Sequence, residues 1–309
     1  VSKRVILDVD TGIDDALGIL LAVKSGKLEI EGITTVCGNV SLEQATLNTC
    51  KILELAGATD IPVYPGASAP LIRKSHYEHR VHGSDGLGGA LSGVEPGKRP
   101  ESGFGPSFIV ETALRYSGDL TLIMTAPLTN LAIALQQCPD LPRHIKEVIY
   151  MGGVVRGPGN VTPTAEYNIY ADPEAARIVV HAGFERLTQV GLDVTRRALL
   201  TESHIGLLTE PAIRSYVQES TAIYIDRYEF VNGVRACALH DPLAVGAAIW
   251  PELVDAKDYY VDVETTSRLC DGQTVCDVLN RLGQPPNVRV CEQVDSERFL
   301  ERFIMTLNL

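Results

Sequence analysis

A chain of 309 residues, 45% hydrophobic and 21% charged, has the apolar content of a globular protein with one large core or two small ones. Its formal net charge of −12 argues against nucleic acid or an anionic membrane surface as partner. No apolar run approaches the length that spans a bilayer, and a strand pattern starts almost at once, so the expectation is a cytoplasmic protein without a secretory leader.

The apolar run at 5–10 predicts a strand, followed by a helix over 14–25 and a second strand over 30–37. Ser41 and Gln44 make a capping-box start for a helix that ends near Ala56 and Gly57. Residues 67–105 are rich in Gly, Pro, Ser and His with little periodicity, a stretch of the functional or mobile kind. Strands follow at 120–125, 148–151 and 187–192, with helices over 128–137 and 173–182. Residues 203–232 read as helix with breaks, and His240-Asp241-Pro242 opens another, with proline in its first turn. The tail returns to strand pattern at 259–264 and 288–294 and closes with a helix over 296–307. This alternation predicts an α/β fold: an open, mainly parallel, Rossmann-like sheet flanked by helices, in a single domain over 1–309. The seven cysteines form no C-x-x-C pair and read as reduced thiols.

The first strand breaks into Asp8-Val9-Asp10-Thr11-Gly12-Ile13-Asp14-Asp15-Ala16, with four carboxylates around a glycine. Asp14 and Asp15 alone fit a helix start, where acids suit the free N–H groups and the dipole. Asp8 inside the strand and Asp10 at its exit do not, because β-structure disfavours Asp. Crowded acids need a neutralising partner, and oxygen donors are hard ligands, so the default cation is Ca2+ or Mg2+.

Polar residues recur where strands give way to loops: Asp10, Asn39, Thr125, Met151-Gly152-Gly153 and Asp193. Ligands of open parallel sheets bind at the carboxyl ends of the strands, so these positions are expected to converge on one cleft, the active site. Asn160, Glu166 and Asn168 stand in a Gly- and Pro-bounded loop, a donor and acceptor set suited to a polyhydroxylated ligand such as a sugar, or to holding the loop itself. His240-Asp241 puts a titratable proton carrier beside a carboxylate. Tyr224 and Tyr228 share a helix face and would stack on a flat aromatic ligand or pack in the core. No phosphate-binding glycine motif occurs.

Together these stretches resemble the nucleoside hydrolase family, of the inosine-uridine-preferring type. The resemblance rests on the opening acidic block, Gly38-Asn39, His82-Gly83 with Asp85-Gly86-Leu87-Gly88-Gly89, Pro127-Leu128-Thr129-Asn130, Met151-Gly152-Gly153, Ala165-Glu166-Tyr167-Asn168, Ala171 to Ala176, Gly191-Leu192-Asp193-Val194-Thr195 and His240-Asp241-Pro242, in the family's order. It implies an N-ribohydrolase acting on purine and pyrimidine ribonucleosides in nucleoside salvage, forming a homodimer or homotetramer. It further implies Ca2+ bound by Asp10, Asp15, Asp241 and the Thr125 carbonyl. Asp14, Asn39, Asn160, Glu166 and Asn168 would hold the ribose over Met151. Asp10 would take a proton from a calcium-bound water, and His240 would assist the departing base, with Tyr224 and Tyr228 in the same relay. His82 and Tyr167 are expected at the substrate, His82 on a loop that closes over it. Thr11 stands where many members have Pro, and Tyr167 replaces a frequent Phe; neither change removes a catalytic group.

Two other readings compete. Asp8-Val9-Asp10-Thr11-Gly12 superficially resembles the opening of haloacid-dehalogenase-like phosphatases, with Asp8 as nucleophile, although no downstream acidic metal motif or Lys can be placed. A non-catalytic calcium-dependent nucleoside binder would keep the ribose cage without turnover. Asp8 has no assigned role in the hydrolase reading.

Overall fold

The computed structural model describes residues 2–309. Its main sheet has eight strands: β1 Lys3–Val9, β2 Leu28–Thr35, β3 Val63–Pro65, β4 Leu120–Met124, β5 Ile145–Met151, β6 Leu187–Val190, β7 Val254–Tyr259 and β8 Val288–Val294. They lie in the order β3-β2-β1-β4-β5-β6-β8-β7, parallel throughout except for the β8–β7 edge. The longer helices are α1 Ile13–Lys24, α2 Leu42–Leu55, α3 Gly105–Arg115, α4 Thr129–Gln137, α5 Pro173–Val180, α6 Pro211–Asn232, α7 His240–Ile249 and α8 Ser296–Leu307.

Both faces of the sheet are covered, as a parallel sheet requires. Val5, Leu7 and Val9 of β1 join one core with α1, α2, α6, α7 and α8, while Ile6 joins the other with α3, α4 and α5. The period-two alternation therefore turns Asp8 toward the α3–α4 side. On the first side α7 packs closely on α1: a Cβ at Gly18 would lie 3.6 Å from the Asp241 backbone. That approach brings the acids at the start of α1 and of α7 together.

Several elements differ from the sequence expectations. The tail strand begins at Val254 rather than 259, because β7 is an edge strand whose residues alternate between half-buried and exposed and carry little apolar signal. Residues 261–263 belong to a separate antiparallel pair with Thr274–Cys276. The strand expected over 187–192 stops at Val190, and Leu192–Thr195 forms one helical turn. Residues 67–105 are largely irregular, with a short helix at His79–His82, and α3 starts on the Gly105-Pro106 step that closes the stretch. All seven cysteines are free. No described helix is long and apolar enough to cross a membrane.

Candidate active site

At β1 and β4 the strand order reverses, with β2 and β3 leading away on one side and β5 and β6 on the other. Crevices for ligands form outside the carboxyl ends of strands at such a switch point. Asp10 and Thr125 are the first residues beyond these two strands, and a cavity of about 640 Å³ opens there. Asp14, Asn39, His82, Thr125, Met151, Asn160, Glu166, Tyr167, Asn168, Tyr224, Tyr228, His240 and Asp241 line it, while Asp10 and Asp15 lie behind its wall. Asp193, expected in the same cleft, is not there. Its carboxylate accepts from Val155 and Arg156 N–H at 2.8 and 2.6 Å and faces a separate cavity of about 150 Å³.

The acidic turn divides by partner. Asp15 is the most fully bonded: its Oδ2 accepts from Gly12 N–H at 3.0 Å and Asn39 Nδ2 at 3.1 Å, and its Oδ1 from the Thr125 hydroxyl at 2.8 Å. Asp10 Oδ2 accepts the Asn39 backbone N–H at 2.6 Å, while its Oδ1 is buried without a partner. A Cβ at Gly38 would fall 2.0 Å from Asp10 Oδ2, so only glycine permits this approach. Asp14 Oδ1 is also buried and unpartnered. Ligand atoms of Asp14, Asp15 and Asp241 lie within 4.8 Å of one another. The tightest carboxylate group thus holds Asp14 in the place where the sequence expectation had Asp10, with Asp10 beside it. Burial, then mutual repulsion, raises Asp10 and Asp241 well above the usual carboxylate range and Asp14 to about 7. Buried acids that repel and leave oxygens unbonded are a site short of positive charge.

Asp8 is separate from this group. It is fully buried, and its Oδ1 accepts from Thr34 Oγ1 at 2.5 Å and Asn130 Nδ2 at 2.7 Å. Burial pushes its carboxyl up to about 7. Asn130 also donates to Thr35 O and accepts Ala67 N–H. Asp8 therefore fastens β1 to β2, to α4 and, through Asn130, to the loop after β3.

Opposite the acids, Asn168 Nδ2 donates to the carbonyls of Thr125 at 2.8 Å and Met151 at 3.1 Å. Glu166 caps the short helix Tyr167–Ala171, accepting from Asn168 and Ile169 N–H, and also holds Gly153 N–H at 2.8 Å. Its burial outweighs these donors and pushes its carboxyl to about 7. Asn160 Oδ1 accepts Tyr167 N–H at 2.9 Å, and the Tyr167 hydroxyl donates to His76 O at 2.5 Å.

Directly before Asp241 in the chain, His240 Nδ1 meets Thr195 Oγ1 at 2.7 Å. His82 Nδ1 accepts the Ile13 N–H at the start of α1, at 3.0 Å, which leaves its Nε2 to carry the proton. Burial lowers both imidazoles to about 3. Tyr224 and Tyr228 line the cavity with centroids 6.2 Å apart, and His82 meets Tyr224 edge-on. Arg80, Arg196 and Arg227 also line the cavity and were not singled out from the sequence. Arg196 follows directly on the Gly191–Thr195 block, and its guanidinium binds the carbonyls of Pro158 and Gly159, each at 2.8 Å. Thr195 and Asn130 stand in blocks quoted for the resemblance, yet only their partners in space show what they do.

Comparison with known proteins converges on one family. The family described as inosine-uridine preferring nucleoside hydrolase matches residues 5–301. A pyrimidine-specific ribonucleoside hydrolase RihB of Shigella flexneri is 35% identical over 304 residues, covering 96% of this chain and 94% of that protein. Among solved structures, a plant nucleoside hydrolase superposes with a TM-score of 0.95 at 32% identity, covering 100% of this chain and 99% of the other. A purine-preferring ribonucleoside hydrolase from Gardnerella vaginalis gives 0.90 at 33% identity, covering 99% and 98%. With these matches on a cavity built from the acidic turn, the chain belongs to the inosine-uridine preferring nucleoside hydrolase family and is a hydrolase of N-glycosyl bonds in ribonucleosides.

Proposed function

We propose that this enzyme cleaves both purine and pyrimidine ribonucleosides to free base and ribose with the help of a bound Ca2+, as a cytoplasmic homodimer or homotetramer in nucleoside salvage. Compartment and assembly rest on the resemblance. The observation that carries the chemistry is the pair of buried, unpartnered oxygens, Asp10 Oδ1 and Asp14 Oδ1, beside the Asp15–Asp241 carboxylates. An all-oxygen, anionic, desolvated donor set fits a hard divalent cation. Asp10, Asp15, Asp241 and the Thr125 carbonyl would hold it, with Asp14 in the same group reaching the sugar.

Such a cation supplies polarisation of a water and of the ribose diol. Asp10 Oδ1 would accept the proton of the attacking water, its other oxygen being held by Asn39 N–H. Asp14, Asn39, Asn160, Glu166 and Asn168 would take the ribose hydroxyls, with Met151 beneath the ring. Carboxylates close to the sugar favour the positive charge that develops at the anomeric carbon. His240, half-buried on the cavity wall and held neutral by desolvation, would offer an imidazole N–H to the leaving base. His82 and the Tyr224–Tyr228 pair would border the base, and Tyr167 the ribose. Asp8 does not line the cavity: its Oδ1 is held by Thr34 and Asn130 and its Oδ2 is buried without a partner, which speaks against a nucleophile there and against the phosphatase reading.

The names of relatives divide between pyrimidine-specific and purine-preferring, so a panel is the test. Calcium-loaded protein is given uridine, cytidine, inosine, adenosine and guanosine, and released ribose is measured as reducing sugar. Release is expected from members of both classes, lost on chelation, restored by Ca2+, and reduced about a thousandfold in Asp10→Ala. Release from one class alone overturns the breadth, and binding without any release shows a non-catalytic binder.

A further inference from the structure

We propose that the Tyr167 hydroxyl is a positioning group: by donating to the His76 carbonyl it sets the strap 67–82 over the sugar end of the cavity. The inference rests on the hydrolase reading of the site and deepens it. The strap is fastened at both roots by groups of the main body. Ala67 N–H is held by Asn130, Leu71 N–H by Asp172, and Arg73 by the carboxylates of Glu174 and Asp271 and by Thr265 O. At the other root Glu78 N–H donates to Asn39 O, and His82 accepts from Ile13 N–H. Between these roots, Lys74, His76 and Tyr77 are exposed, and there Tyr167 OH meets His76 O at 2.5 Å.

Tyr167 is suited to the task because its other end is already fixed. Its backbone N–H donates to Asn160 Oδ1, its side chain is 7% exposed, and it opens the short helix that Glu166 caps and that carries Asn168. A rigid aromatic lever between the sugar-binding amides and the strap makes the two sides of the cavity one unit. Burial of the phenol holds its pKa well above the usual range, so it stays a donor throughout the working pH range. The ring of His76 also lies 6.2 Å from Tyr167 and 5.9 Å from Tyr170 by centroids.

Tyr167→Phe removes the hydroxyl and keeps the packing, and Tyr170→Phe on the same short helix is the matched control. Native full-length proteins without ligand are treated with trypsin, whose sites Lys74 and Arg80 are both exposed, and cleavage is followed by mass spectrometry beside steady-state kinetics on uridine and inosine. Tyr167→Phe is expected to be cut at these sites about fivefold faster, the factor for one typical net hydrogen bond. Its KM should rise several-fold with kcat little changed, its thermal midpoint should stay near the parent's, and Tyr170→Phe should match the parent. Unchanged cleavage overturns the proposal, and a raised KM with unchanged cleavage does so too, leaving Tyr167 as a direct substrate contact. If the parent releases no ribose from any nucleoside, the hydrolase reading falls while the cleavage comparison still decides the strap.

Discussion

His240 shows how much one side chain's role depends on its neighbours. Its sequence position marks it as a proton carrier, but in the fold it is half-buried, held by Thr195 and kept neutral by desolvation. A neutral donor helps most when the leaving group is poor. His240→Ala should therefore slow inosine far more than p-nitrophenyl riboside, whose phenolate departs unaided, and equal losses on both would remove it from leaving-group assistance. The acids of the turn were legible because four carboxylates in one short stretch contradict strand propensity. Asp8 was not, since its partner Asn130 is distant in sequence and an Asn on a helix carries no mark of what it binds.

At the scale of elements, local pattern was enough for β1, β2, α1 and α2, and for α8, where apolar period or capping residues signal directly. It failed for β3, which has three residues, for β7, an edge strand, and for α3, whose Gly105-Pro106 start looks like the loop before it. What joins these elements is a buried knot: Asp8 on β1, Thr34 and Thr35 on β2, Asn130 on α4 and Ala67 beyond β3. Gly66 is part of it, since a Cβ there would fall 2.1 Å from Asn130 Oδ1. Asn130→Ala leaves two buried acceptors short of a donor and one buried N–H unpaired, so a loss of about 3 kcal/mol is expected in urea unfolding. A loss below about 0.5 kcal/mol would show that the knot does not hold the sheet edge.

For the whole molecule, the collected acids couple stability to pH and to the cation. Asp14 and Glu166 are raised to about 7, Asp10 and Asp241 higher than usual for the same reason, against ordinary values near 4 when unfolded. The folded state thus binds more protons than the unfolded one between about pH 4 and 7. Metal-free protein should lose stability as pH rises through that window. His82 and His240, lowered to about 3 by desolvation, act in the opposite sense but are outnumbered. Calcium neutralises the acids in the folded state alone, so it should raise the unfolding midpoint at pH 7.5 far more than at pH 4.5. A midpoint that ignores both pH and Ca2+ would contradict a cation cage.

The amino-acid sequence by itself determined the alternation of strand and helix, hence the parallel sheet, and the order of motif blocks that marks the family. Those are local properties: periodicity, capping and charge density are written into neighbouring residues. Tertiary structure alone decided which acids share a site, that Asp193 serves another cavity, that Asp8 is a fastening group, and that Tyr167 reaches the strap. Each depends on a distance between residues far apart in the chain, and such distances are set by the strand order β3-β2-β1-β4-β5-β6-β8-β7 and by the close approach of α7 to α1.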